Sequence, residues 1–242
     1  MSRNLILEDK TSRSNPAFYL DSNVEDNMSK VTTLQKVIPE IKTGMTIMIG
    51  GFLAVGTPEL FVDSLIDKGI KDLTVIANDT AFPDKGIGKL VVNRQLKTVI
   101  VSHIGTNPET GRQMNAGELE VQLVPQGTLA ERIRAGGAGL GGVLTPTGLG
   151  TIVAEGKAVI TVDGQEFLLE KPLKADVALI KAHTADTAGN LTFHRSARNF
   201  NPLMAMAAKT VIVEAENIVE AGQIDPDQVM TPGILVNWIV QG

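Results

Sequence analysis

The apolar run Met45–Ile49 stops at Gly50-Gly51, and Gly56-Thr57-Pro58-Glu59 then opens a helical pattern. The run lacks the polar alternation of a half-exposed strand, so it predicts a strand buried on both faces. Thr57 is the expected cap, Pro58 suits the first helical position, and Glu59 favours the positive end of the helix dipole. Leu60, Phe61, Val62, Leu65 and Ile66 supply a broad apolar face, and Gly69 after Lys68 is a stop. A buried strand passing through a glycine turn into a helix is the building unit of a parallel sheet covered by helices.

The alternation continues. Leu73–Asn78, Thr98–Ser102 and Val121–Val124 read as strands, and Leu129–Ala135 reads as a helix. Asn107-Pro108 restarts a helix by cap and proline, kept short or irregular by Gly111 and Gly117. Farther on, Ala175–Ile180 and Val211–Glu214 are strands, Pro202–Ala208 is a buried helix, and Ile234–Val240 packs at the edge as strand or helix. One stretch breaks the rhythm: Val159–Val162 and Glu166–Leu169 flank Asp163-Gly164-Gln165, an Asp-Gly hairpin signal. The expectation is an α/β domain over 28–242, with an open, mostly parallel sheet, helices on both faces and a small antiparallel insert. Its core material fits, since 43% of residues are hydrophobic but only 4% aromatic.

Residues 1–27 are polar, charge-mixed and weakly periodic, and read as a flexible extension. Their acidic residues Glu8, Asp9, Asp21, Glu25 and Asp26 argue against a mitochondrial presequence, and no secretory apolar stretch is present. A cytoplasmic setting is expected. Zero cysteines exclude disulfides, thiolate catalysis and Cys-ligated metal. A net charge of −5 without a long basic run argues against nucleic acid or an anionic membrane as partner.

The strongest chemical feature is the turn itself. Gly50, Gly51 and Gly56 can take positive φ and admit a ligand to the backbone, while the following helix would aim free N–H groups at a phosphate, pyrophosphate or carboxylate. A tight turn with no ligand is the bland alternative. Gly51 and Gly56 have Walker A spacing, but Thr57-Pro58 stands where Lys-Ser/Thr is required, which disfavours NTP hydrolysis. Gly137–Gly142 contains a G-x-G-x-x-G match, yet it follows a helical pattern and Pro146 sits where a helix should grow, so the dinucleotide reading fails. With Gly136 it reads as a flexible or close-packed loop, with an active-site or subunit-contact loop as the sharper alternative.

His103, His183 and His194 show no metal spacing, and His103 after Val99–Val101 suits a hydrogen-bonded structural role. No G-x-S-x-G elbow exists. Glu214 and Glu216 at a strand exit read as solvated or paired.

The run Thr43–Pro58 resembles the first signature of the family I CoA-transferases: a turn ending in Gly, three apolar residues, Gly-Gly-Phe, three free positions, Gly, one free position and Pro. Only Thr43 departs, standing in place of Asp or Asn. Ile76–Thr80, His103–Gly111, Gly136–Gly142 and Ala197–Pro202 are likewise similar to α subunits of acetate/acetoacetate and butyrate–acetoacetate CoA-transferases, and the resemblance covers Met28 to Gly242.

The resemblance implies a fold shared with ribose-5-phosphate isomerases and an α2β2 assembly with a β subunit. It implies ping-pong exchange of CoA between a short-chain acyl-CoA and a carboxylic acid, with no metal and with CoA as substrate rather than resident cofactor. It puts the glutamate nucleophile in a Ser-Glu-Asn-Gly motif of the β subunit. The look-alike Glu214-Ala215-Glu216-Asn217 lacks that serine and glycine, so no catalytic residue is expected in this chain. The implied CoA-binding segment is Gly50, Gly51, Phe52, Leu53, Ala54, Val55 and Gly56. A sugar-phosphate isomerase and a non-catalytic CoA-binding module are the competing readings.

Overall fold

The computed structural model describes residues 29–242, so the flexible extension expected over 1–27 lies outside the described residues. The chain enters through helix α1 (Leu34–Val37) and then runs β1 (Thr46–Ile49), α2 (Glu59–Asp67), β2 (Leu73–Ile76), α3 (Gly88–Val92), β3 (Leu96–Val101), α4 (Pro108–Asn115), β4 (Glu120–Leu123) and α5 (Gln126–Gly137). After an insert of β5 (Val143–Thr145), β6 (Val159–Val162) and β7 (Gln165–Glu170), it returns through β8 (Ala175–Asp186), β9 (Leu191–Thr192), α6 (Asn201–Met206), β10 (Ala208–Val219) and β11 (Trp238–Gln241).

The main sheet has the order β11-β10-β8-β1-β2-β3-β4, with every neighbouring pair parallel; β9 adds antiparallel to β8. Period-two alternation splits its side chains between two cores. Ile47, Ile49, Val75, Val99, Leu179 and Ile212 meet Phe61, Val62, Leu65, Leu90 and Val91 on one face. Met48, Ile76, Ile100, Ala178, Val211 and Val213 meet Leu129, Ile133 and Met204 on the other. Helices therefore cover both faces, as the apolar strand runs predicted.

The Asp-Gly signal is a two-residue turn: Asp163 and Gly164 take φ of 51° and 79°, and β6 pairs with β7 around them. β5 adds a third antiparallel strand that the sequence did not announce, because it lies among glycines and prolines.

The main departure concerns β8 and β10. Both run for 12 residues and pair from Ala208–Ala175 to Val219–Asp186, far beyond the expected Ala175–Ile180 and Val211–Glu214. The apolar-run rule stops at Lys181 and Glu214, whereas the backbone ladder continues through polar positions. The tail resolves as strand β11 beside β10, its outer edge met by Val31, with Thr32 N–H bonded to Ile239 O at 2.8 Å.

Candidate functional site

The chain leaves β1 toward β2, β3 and β4 on one side, and comes back to fill β8, β10 and β11 on the other. The boundary between β1 and β8 is thus the topological switch point, where open α/β sheets leave a crevice beyond the strand ends. The Gly50–Gly56 turn stands there, with Gly50 N–H donating to Leu179 O of β8 at 3.0 Å.

Burial of Phe61, Val62 and Leu65, about 1.5–3 kcal/mol each, positions α2 far more strongly than any single hydrogen bond. Hydrogen bonds instead decide the shape of the turn before it. Phe52 and Val55 exchange N–H···O bonds at 3.0 and 2.9 Å around Leu53 and Ala54, whose φ values are 47° and 69°. Two consecutive non-glycine residues in the left-handed region cost on the order of 1–3 kcal/mol each, and persist only where their surroundings over-determine them.

Those surroundings are three polar side chains. Asp79 accepts from Leu53 N–H at 3.0 Å and from Ala81 N–H at 2.7 Å. Asn199 accepts from Gly51 N–H at 3.2 Å and donates to Val55 O at 2.9 Å. Asn201, fully buried, donates to Gly56 O at 3.0 Å and accepts from Lys181 N–H at 3.1 Å.

The glycines serve this packing. A Cβ on Gly50 would lie 1.7 Å from Asn201 Oδ1, one on Gly51 2.0 Å from Thr57 Oγ1, and one on Gly56 2.6 Å from Ala197 O. Gly51 and Gly56 take the positive φ expected of them, 126° and 76°, whereas Gly50 does not, and at all three the missing side chain makes room for the protein itself. Among the described residues, only Ala54 and Gly56 keep turn N–H groups without an acceptor.

The start of α2 carries a second correction. Pro58 is the N-cap without a side-chain cap, and buried Thr57 packs over Gly51 instead of capping. Leu60 N–H donates to Glu214 Oε2 at 2.9 Å, so an internal carboxylate occupies the end of the helix where an external anion was expected. Burial raises the Glu214 carboxyl above its ordinary value, opposed by Lys181 at 3.3 Å and by that N–H. Glu216 hydrogen-bonds His183 at 2.8 Å, which holds its carboxyl below the usual range. Both glutamates are paired, as expected, though Glu214 is buried rather than solvated.

Beside the turn opens a cleft of about 510 Å³ lined by Phe52, Asn78, Gln126, Ala130, Phe200 and Leu203, among others. Gln126 donates to Asn78 Oδ1 at 2.9 Å, and Ser102 Oγ donates to the same amide at 3.0 Å. The sequence reading missed Gln126 and the polar roles of Asn78, Asp79, Asn199 and Asn201. Polar residues just beyond strand ends were the available signal: Asn78 and Asp79 follow β2, and Gln126 follows Pro125 at the start of α5.

Gly136 and Gly137 close-pack the end of α5, where added Cβ atoms would lie 1.9 Å from Leu173 O and 2.5 Å from Met206 Cβ. The close-packed reading thus holds at Gly136, Gly137 and Gly142 but not at Gly139 and Gly141, which have nothing within 4 Å, and the dinucleotide motif ends a helix instead of starting one. His103 is exposed with its ring over Gly105, and among the described residues it makes no side-chain hydrogen bond, contrary to the structural role expected. Among the described residues no group of His, Asp and Glu side chains could hold a metal ion, and no helix is long and apolar enough to cross a membrane.

The family profile described as Coenzyme A transferase matches residues 31–242. The chain belongs to this family. It is 58% identical over 212 residues to the Escherichia coli K12 protein named acetate CoA-transferase subunit alpha, covering 88% of this chain and 96% of that one. It is 56% identical over 213 residues to the acetoacetyl-CoA:acetate/butyrate CoA transferase alpha subunit of Clostridium acetobutylicum, covering 88% and 98%. The fold is similar to that of an acyl-CoA transferase from E. coli O157:H7 solved as a thioester complex with CoA. There the TM-score is 0.80 at 22% identity over 90% of this chain, and the chain spans about half, 48%, of that longer one.

Proposed function

We propose that this CoA-transferase family member is the α subunit of a heteromeric enzyme that moves CoA between a short-chain acyl-CoA and a short-chain carboxylic acid. The observation that carries the reading is near full-length identity above one half with two proteins named as CoA-transferase α subunits. Acetyl-, acetoacetyl- and butyryl-CoA are the donors this favours, and an α2β2 assembly in the cytoplasm is the expected form.

The turn Gly50–Gly56 holds the carrier in this account. Two features support it: the Ala54 and Gly56 N–H groups have no acceptor among the described residues, and the half-exposed Phe52 of the same turn lines the adjoining cleft. The nucleophile comes from the partner. Neither Glu214, committed to Leu60 N–H and Lys181, nor Glu216, committed to His183, lines the cleft.

The reaction is then a double displacement. A β-subunit glutamate carboxylate attacks the thioester carbonyl, forming an acyl-glutamyl anhydride and releasing CoA thiolate. The thiolate attacks the glutamyl carbonyl, giving an enzyme thioester and the free acid; a second carboxylate reverses both steps and leaves as acyl-CoA. No water enters, so thioester energy is conserved. The purified chain mixed with its β partner is expected to transfer CoA from acetyl-CoA to acetoacetate or butyrate. No transfer to any short acid would sink the reading.

A further inference from the structure

We propose that Asn199 and Asn201 are positioning residues for CoA transfer, acting by locking the strained Gly50–Gly56 turn into the shape that receives the carrier. The inference rests on the carrier-binding role given to that turn above. Both residues come from one short segment far along the chain, Asn199 just before α6 and Asn201 its first residue, and together they grip the turn at both ends: Gly51 N–H, Val55 O and Gly56 O.

The Asn199 amide is fully engaged, with two donations and two acceptances, and Asn201 spends both of its donors and accepts once. Asn199 also accepts from Phe200 N–H at 2.6 Å and donates to Ser196 O at 3.0 Å. Asn201 also donates to Ala197 O at 2.8 Å, and reaches Lys181 N–H of β8. The pair therefore ties β8, the turn and its own segment into one rigid unit. Asp79 adds a third hold at Leu53 N–H, at the crest of the turn.

Packing alone would not choose this shape. Leu53 and Ala54 sit at φ of 47° and 69°, and an unclamped turn relaxes toward ordinary backbone angles. Relaxation would carry off the Ala54 N–H and the Phe52 side chain at the cleft edge. A displacement near 1 Å at a substrate-positioning element costs on the order of 100-fold in rate. Asn199, which itself lines the cleft, is the member whose loss leaves the buried core intact.

The test uses the assembled complex of this chain with its β partner and reads acetyl-CoA turnover with melting temperature. Asn199→Ala is expected to lower kcat/KM for acetyl-CoA by about 10- to 100-fold. Its melting temperature should stay within about 3 °C of the wild type. Adding Ala54→Gly to that variant relieves the left-handed strain and should restore at least about half of the lost factor on a logarithmic scale. Asn199→Asp keeps the acceptor for Gly51 but sets a carboxylate oxygen against Val55 O and Ser196 O, and should lose at least as much as Asn199→Ala.

Activity of both Asn199 variants within twofold of the wild type would overturn the proposal. So would a loss that the glycine leaves unrestored, or one that simply follows a fallen melting temperature. A wild-type complex that moves no CoA would instead contradict the functional reading beneath it.

Discussion

Two glycines of this chain show how differently one residue type can be used. Gly50 has Asn201 Oδ1 where its Cβ would be, while Gly111 inside α4 has nothing within 4 Å. Gly50→Ala is therefore expected to destabilise by more than about 2 kcal/mol, because the buried Asn201 amide cannot retreat without losing its bonds. Gly111→Ala should stabilise by about 0.5–1 kcal/mol through helix propensity alone. Urea unfolding of the two variants checks both signs.

Glu214 allows a similar separation. Its burial-raised carboxyl binds protons more tightly when folded, so its contribution to stability is largest below the ordinary value of 4.5 and declines as pH rises through the folded value. Glu214→Gln should remove that dependence and change stability near neutral pH by no more than about 1 kcal/mol. Glu214→Ala should cost about 2–4 kcal/mol, since Leu60 N–H loses its acceptor, Lys181 keeps only Glu216 at 3.5 Å, and a cavity is left. Melting curves from pH 4 to 8, on the order of four units across that range, distinguish the two.

At the scale of elements, α4 is the part most legible in sequence. Asn107 caps it by accepting from Glu109 N–H at 3.2 Å, and Pro108 takes the first turn. The Arg112 guanidinium, then Gln113, hold the Glu109 carboxyl down to about 2 from its ordinary 4.5. A depressed carboxyl stabilises above its unfolded value and loses that contribution as pH falls through the folded one. Acid unfolding between pH 4.5 and about 2 should thus be shallower in Glu109→Gln, measured by circular dichroism against pH.

The start of α2 was less legible for a definite reason. Thr57-Pro58 has the local signature of a cap, but the anion that satisfies Leu60 N–H comes from β10. Capping by a distant strand leaves no trace in the neighbouring sequence. The same holds for the upper halves of β8 and β10, whose polar residues pair with one another instead of facing water alone.

On the scale of the whole molecule, the unbroken apolar strand runs, their alternation with helical patterns and the glycine turn were enough to foretell a parallel sheet covered on both faces. They also put the candidate site, the Gly50–Gly56 turn, at the end of β1. The missing part was which side chains hold the turn, because Asp79, Asn199 and Asn201 converge only once strands distant in sequence lie side by side. In the function proposed above, the site so built offers a surface for the carrier, while both of its nearby glutamates are engaged elsewhere.

That division of labour is the central claim, and covalent trapping tests it most directly. The chain and its β partner are incubated together with acetyl-CoA, quenched, and weighed separately by intact-mass spectrometry. The account predicts a CoA thioester adduct on the partner alone, no adduct on this chain, and no turnover by this chain without its partner. A CoA adduct on Glu214 or Glu216, or turnover by the isolated chain, would contradict it.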